Sequence, residues 1–266
     1  MVVRFAGPPE RESEYVILRS RGSDEEIVHL HDYERLYAEP GLYEHIVQEL
    51  LQCRSPQVAA EALAHALARL GIDPATVVLL DLGAGTGIVG ELATVAGVCR
   101  VIGLDALEAA RTACLRDRPG IYSDYLVGDL ATPPTDLLAR LRRHRPTALI
   151  SAGAMGGTHA PPTTLMNALN LLPAGAPVVF TIDERWMNTD APGGYGTVIT
   201  RLIESGELQL LDLTRFQHRL STAGTPIHYK LVVATRGRGE PAVLRELSRP
   251  DDRPHSSASD ADERAS

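Results

Sequence analysis

The sequence predicts an α/β protein with a doubly wound, mostly parallel seven-stranded sheet and an antiparallel edge hairpin. Three observations predict it. From Val77 to Arg236, short apolar runs alternate with segments of helical periodicity, the order that crossover connections between parallel strands produce. The first of these runs ends in Asp81-Leu82-Gly83-Ala84-Gly85-Thr86-Gly87, a glycine-rich strand-to-helix turn at the place where open α/β sheets bind ligands. The last two runs are joined by a loop containing Gly224 and Pro226 rather than by a helix, so they are expected to pair antiparallel at the sheet edge.

Residues 1–30 read as a flexible lead-in, with Gly7-Pro8-Pro9, the acidic residues Glu10, Glu12 and Glu14, and EYVILRS as one short strand. A helical cover is expected over residues 31–75, at the start of a domain that runs from 31 to 236. Apolar positions from Leu36 to Leu51 give helices broken at Pro40-Gly41. A second helical run from Pro56 to Leu70 carries Val58, Leu63, Ala66 and Leu67 on one stripe, and Gly71 stops it.

The strands follow in order: VVLLDLG from Val77, VIGLDA from Val101, YLVGDL from Tyr125, TALISAG from Thr147 and PVVFTID from Pro177. They are continuous apolar runs, as in strands buried on both faces. Between them lie helical segments after Gly87, over LEAARTACLRD, over LLARLRR, over TTLMNALNLL and over Thr197 to Glu204. LQLLDLTRF and HYKLVVATR close the series. Residues 237–266 are polar, charged and without apolar pattern, and read as a disordered tail.

Composition narrows the function classes. The 266 residues carry a net charge of -8, which argues against affinity built on neutralising phosphates. Lys230 is the only lysine, a bias best assigned to codon usage. The arginine run Arg140, Arg142, Arg143 and Arg145 fits the exposed end of a helix, so no nucleic acid is expected as a partner. Cys53, Cys99 and Cys114 are odd in number and widely spaced, as in reduced thiols of a cytoplasmic protein. No secretory signal is read at the N-terminus and no apolar stretch approaches the roughly 18 residues of a membrane span, so no membrane association is expected.

The glycine-rich turn alone is a weak sign. Asp105 ends the second strand, where a carboxylate can accept hydrogen bonds from both hydroxyls of a ribose. Asp129 ends the third, where a carboxylate can meet an adenine amino group. A dinucleotide fingerprint needs G-x-G-x-x-G, whereas here the spacing is G-x-G-x-G with Ile88 in place of the last glycine. The Asp81 charge would repel a pyrophosphate and suits a cationic ligand, such as the amino group or sulfonium region of S-adenosylmethionine. A nicotinamide-dependent oxidoreductase is disfavoured on both counts.

At DLGAGTG, the LD of the second strand and the GDL of the third, the chain resembles the class I S-adenosylmethionine-dependent methyltransferases over residues 31–236. It is loosely similar to the Williams–Beuren-region methyltransferase-like proteins. The resemblance implies a Rossmann-like methyltransferase fold and S-adenosyl-L-methionine as cofactor. Gly83, Gly85 and Gly87, with Ala84 and Thr86 in the same loop, would line the methionine part, and Asp81 would organise that loop. Asp105, with Ala106 beside it, would bind the ribose. Asp129 and Leu130 would frame the adenine, and Ser151-Ala152-Gly153 would lie beneath the reacting methyl. The helix carrying Tyr33, Tyr37 and Tyr43 would close over the cofactor, although aromatic residues at helical spacing also serve as core.

The expected activity is methyl transfer to a small-molecule acceptor on oxygen, nitrogen or carbon. His159, after the fourth strand, is the candidate general base; its other reading is a cap for the helix that follows Pro161-Pro162. Trp186 and Tyr195 could wall the acceptor, or lie in a solvated loop anchored by one aromatic. His218 reads as a surface residue and a weaker base candidate. No N/D-P-P-Y/F follows the fourth strand, and no acidic set suggests a metal site. Two other readings of the same fold stay open: a non-methylating enzyme that uses the bound cofactor as a charged pocket, and a degenerate binding or regulatory protein.

Overall fold

The computed structural model describes residues 1–6, 13–19, 22, 24–156, 160–187 and 194–238. Two sheets organise them. The larger contains β4 (Val78–Leu82), β5 (Arg100–Asp105), β6 (Asp124–Val127), β7 (Ala148–Met155), β8 (Pro177–Asp183), β9 (Leu208–Leu220) and β10 (Pro226–Arg236). Its order is β6-β5-β4-β7-β8-β10-β9. β4 pairs in parallel with both β5 and β7, and β8 in parallel with β7. β10 runs antiparallel between β8 and β9. The seven-stranded sheet and its antiparallel edge hairpin are therefore as the sequence predicts. Burial explains the legibility: all seven residues of β8 are buried, and a strand covered on both faces must be a continuous apolar run.

Helices cover both faces. Those numbered here are α1 (Tyr33–Ala38), α2 (Ser55–Leu70), α3 (Ile88–Val95), α4 (Glu108–Asp117), α5 (Thr135–His144), α6 (Pro162–Leu169) and α7 (Tyr195–Glu204). α2 begins on Ser55-Pro56, where proline costs the helix no hydrogen bond. It ends at Gly71, whose φ of 66° lets its N–H return to the carbonyls of Leu67 and Ala68. Its stripe of Ala59, Leu63, Ala66 and Leu67 packs with Leu79, Val101 and Ile150 of the sheet. α2 thus packs as part of the sheet's helical layer.

The N-terminal segment differs from the expected flexible lead-in. β1 (Val2–Ala6), β2 (Tyr15–Arg19) and β3 (Glu26–His29) form a three-stranded antiparallel sheet. Val16, Leu18 and Val28 from it join Leu36, Leu42, Ile46 and Leu51 in a separate apolar core. β2 carries the longest apolar run of the three, Tyr15 to Leu18, whereas Arg4 interrupts β1 and Glu26 and His29 bracket the two apolar residues of β3, which is why the sequence revealed one strand of three. The expected helix beyond Pro40-Gly41 is a π-helix, Glu44–Leu50. The tail beyond 238 lies outside the described residues, as does His159. Among the described residues no helix is long and apolar enough to cross a membrane.

Candidate functional site

The chain proceeds outward from β4 through β5 to β6, then returns to β7 on the other side of β4. That reversal opens a crevice beyond the carboxyl ends of β4 and β7. A cavity of about 560 Å³ occupies it, with Gly83, Ala84, Gly85, Thr86, Asp105 and Ala106 in its wall. Asp129 and Leu130 close one end, and Tyr33 and Tyr37 come over it from α1.

Each wall residue is held for a stated reason. Gly83 has φ +74°, and a Cβ there would stand 2.3 Å from the Cβ of Ala154, so only glycine fits. The Gly85 N–H donates to Asp105 Oδ2 at 2.9 Å, and its carbonyl accepts from the Tyr125 hydroxyl at 2.8 Å. Asp105 Oδ1 accepts from the Leu107 N–H at 3.0 Å. Burial raises the Asp105 pKa, and these backbone donors oppose that rise. Asp129 Oδ1 accepts from the Ala131 N–H at 2.7 Å, which sets its carboxylate at the cavity rim.

Other sequence-assigned cofactor residues are placed differently. Asp81 is fully buried and is absent from the cavity wall. Its Oδ2 accepts from the Tyr122 hydroxyl at 2.6 Å, while Oδ1 has no partner. Burial pushes this carboxyl up to about 7. It supports the loop from behind and does not face a cationic ligand. Gly87 also stands behind the loop: a Cβ there would be 2.8 Å from Cys114 Sγ. Ser151 is buried and donates to the Leu82 carbonyl at 2.7 Å, which leaves Ala152 and Gly153 to form the cavity wall. Leu82 lines the cavity while its neighbour Asp81 is turned away, as alternation along a strand requires.

A second cavity of about 450 Å³ adjoins the first. The two share His31, Tyr33, Tyr43, Gln48, Pro56, Ala152 and Gly153. Trp186 lines the second cavity as well. Tyr195 does not: it is buried at the start of α7, and its hydroxyl donates to the Ala160 carbonyl at 2.6 Å. Of the two aromatic residues assigned to the acceptor wall, one is a core residue.

The sequence reading missed what this cavity contains. His218, expected at the surface, is 7% exposed and forms part of the second cavity's wall. Its ring stacks on Tyr229 at 3.8 Å between centroids, and Nδ1 lies 2.7 Å from Ser55 Oγ. Gly153 brings the two sites together, since a Cβ there would be 3.8 Å from His218 Cε1. The strand β9 extends to Leu220, beyond the apolar run that marked its sequence, and so carries His218 under the N-terminal unit. Asp183 binds Arg185 at 2.8 Å, and Arg219 binds the buried Glu14. Among the described residues no group of histidine, cysteine, aspartate or glutamate could hold a metal ion.

No protein-family model and no curated protein matches the sequence. Among solved structures the chain is similar to the N-methyltransferase NodS from Bradyrhizobium japonicum WM9 in complex with S-adenosyl-L-homocysteine. The TM-score is 0.52 at 18% identity, over 79% of this chain and 98% of that one. It is also similar to magnesium protoporphyrin IX methyltransferase (ChlM) from Synechocystis PCC 6803 with bound S-adenosylhomocysteine: TM-score 0.48, 14% identity, 68% of this chain and 83% of that one. A Pyrococcus horikoshii protein described as an RNA methyltransferase gives a TM-score of 0.48 at 18% identity, over 70% of this chain and 87% of that one. The likeness to NodS shows the fold: a Rossmann-like methyltransferase sheet.

Proposed function

We propose that this chain is an S-adenosylmethionine-dependent methyltransferase that acts on a small molecule held in the second cavity. The observation that carries the reading is the pair of adjoining cavities at the sheet's switch point. One is walled by the glycine loop and Asp105, the other is walled by Trp186, Tyr229 and His218, and the two share a common wall.

The first cavity fits the cofactor on its own chemistry. Side chains at Gly83 and Gly85 would meet Ala154 and Tyr37, so the loop admits a ligand close to its backbone. Asp105 keeps lone pairs beyond those used by its backbone amide donors, as a ribose diol needs. Thr164 Oγ1 is buried and without a hydrogen-bond partner, and Thr164 lines the cavity together with Asp129 and Leu130. A buried hydroxyl in that state calls for a polar ligand atom, and an adenine edge supplies one. Asp129, Leu130 and Thr164 would therefore hold the base.

When bound, S-adenosylmethionine supplies an activated methyl group, so the protein's task is positioning. Tyr33 and Tyr43 lie where the cavities meet and exclude water from the contact between cofactor and acceptor. His218, held by Ser55 and Tyr229, is in place to exchange a proton with an acceptor in its cavity. His159, the base expected from sequence, lies outside the described residues. A volume near 450 Å³ matches a small molecule.

Thermal unfolding with S-adenosylmethionine, S-adenosylhomocysteine and NAD tests the reading in wild type and Asp105→Ala. Ligand at about 100 times its dissociation constant adds roughly 2.7 kcal/mol. Both adenosyl ligands are expected to stabilise the wild type and to lose that effect in Asp105→Ala. Stabilisation by NAD alone, or by none of the three, overturns the proposal.

A further inference from the structure

The direction of the bond between Ser55 Oγ and His218 Nδ1 follows from what surrounds the serine. Ser55 is fully buried at the start of α2. Among the described residues its hydroxyl meets His218 Nδ1 at 2.7 Å and Thr181 Oγ1 at 3.4 Å. Thr181 Oγ1 already accepts from the Gly153 N–H at 2.8 Å. A buried hydroxyl hydrogen needs an acceptor. Donation to Nδ1 gives the Ser55 hydrogen the short bond and leaves its oxygen open to the Thr181 hydroxyl. The opposite order would send the Ser55 hydrogen to Thr181, at a distance longer than two hydroxyls ordinarily bond, and would take from the Thr181 hydrogen its acceptor. Nδ1 is therefore the accepting nitrogen, and neutral His218 carries its proton on Nε2.

That state decides what His218 offers in the second cavity. Nε2 with its hydrogen has no lone pair, so it donates a hydrogen bond and takes no proton there. A donor beside the reacting atom suits an oxygen that is already ionised. Such an oxygen has lone pairs enough to accept from Nε2–H and still attack the methyl carbon. A neutral amine nitrogen has one pair, which the same hydrogen bond would occupy. The charge of the wall agrees. Among its described residues two guanidinium groups, Arg185 and Arg219, stand with one carboxylate, Asp183. Glu14, the partner of Arg219, does not line that cavity.

The geometry points to a methyl acceptor with an ionised oxygen, a carboxylate or a phenolate, held by His218 Nε2–H, and to Ser55 as the positioning residue that keeps the proton on Nε2. The inference rests on the methyltransferase reading, since it takes the second cavity as the acceptor's place. The step balances without a base. One oxygen lone pair forms the bond to the methyl carbon, and the electron pair of the carbon–sulfur bond stays on sulfur. The products are a neutral methyl ester or ether and S-adenosylhomocysteine, and no proton is released.

NMR of the full chain with labelled histidine nitrogens, saturated with S-adenosylhomocysteine, is the test. At about pH 8, above the ordinary histidine pKa of about 6.5, wild-type His218 is expected to show its proton on Nε2. Ser55→Ala should move the Nδ1 signal towards that of a nitrogen without a hydrogen bond, and Ser55→Thr should restore it. Both variants should bind S-adenosylhomocysteine within about twofold of wild type, since Ser55 does not line the first cavity. Benzoate and benzyl alcohol, a charged and a neutral probe of similar shape, are then titrated into the wild type. Benzoate is expected to bind roughly 10-fold more tightly, as one hydrogen bond to a charged group gives, and to move the His218 Nε2 signal. A proton on Nδ1, an Nδ1 signal that Ser55→Ala leaves in place, equal or absent binding of the two probes, or benzoate binding without a change at Nε2 overturns the inference. A wild type that does not bind S-adenosylhomocysteine fails the methyltransferase reading itself, whichever nitrogen of His218 carries the proton.

Discussion

At Gly83 two constraints coincide: φ is +74°, and a Cβ would collide with that of Ala154. Gly83→Ala is expected to cost about 1–3 kcal/mol of stability, as overpacking does, and to weaken S-adenosylhomocysteine binding by pushing β7 away from the loop. Urea unfolding and a binding titration on the same variant check both. Asp81 makes a different prediction, because its carboxyl is raised to about 7 by burial against roughly 3.9 in an unfolded chain. A raised acid favours the folded state below its unfolded value, and that contribution is lost as pH rises through the folded value. Relative to Asp81→Asn, the wild type should therefore lose on the order of 2–4 kcal/mol between pH 4 and pH 8. Parallel stability profiles for the two proteins from pH 4 to 8 would refute this. The glycines and Asp105 were legible in the sequence because the end of a buried strand fixes their place. The direction of Asp81, Ser151 and Gly87 was not, since a strand or turn buried on all sides carries no polar face to betray which way each side chain points. His218 stayed hidden for another reason: its partners lie 163 to 165 residues away, as its bonds to Ser55 and Cys53 show.

Between elements, a few arginines decide how the cover meets the sheet. Arg118, just past α4, donates to Glu44 at 2.8 Å, to Glu91 at 2.9 Å and to the Thr86 carbonyl at 3.1 Å. Thr86 Oγ1 in turn donates to Glu44 at 2.6 Å. The glycine loop and the π-helix are thus fastened through one partly buried guanidinium, and Arg116 adds bonds to the Tyr37 and Ala38 carbonyls. Arg118→Ala leaves Glu44 with only the threonine and loosens the π-helix. Its expected effect is roughly a tenfold loss of S-adenosylhomocysteine affinity, about one or two charge-assisted hydrogen bonds. Amide hydrogen exchange over residues 42–51 should speed up while exchange in β4 and β7 is unchanged. Equal acceleration everywhere would mean that Arg118 serves global stability instead. The break at Pro40-Gly41 was readable from local chemistry. The π-turn was not, because it differs from an α-helix only in which carbonyl each N–H chooses.

For the molecule as a whole, the acceptor cavity depends on two units that the sequence separates widely. Glu14, at the foot of β2, is 1% exposed, and Arg219, near the end of β9, is 11% exposed by side chain. Glu14 also accepts from the Thr222 N–H at 2.6 Å, and Leu220 N–H bonds to the Leu51 carbonyl at 2.8 Å. These bonds close the N-terminal sheet over the hairpin, and Arg219, Leu30 and His31 become walls of one cavity. A buried pair gains little over an apolar pair, yet removal of one partner strands a charge at about 3–5 kcal/mol. Arg219→Met alone and Glu14→Gln alone should therefore each lower stability by about that amount, or roughly 6–20 °C in Tm at 2–4 °C per kcal/mol for a chain of this size. The double variant should recover a large part of the loss, because it leaves no unpaired charge. Its binding of S-adenosylhomocysteine should stay near the wild-type value, since the first cavity contains neither residue in its wall. Additive losses in the double-mutant cycle would instead mean that the two side chains stabilise separate parts of the fold. The N-terminal unit would then be a neighbour of the acceptor cavity rather than its closure.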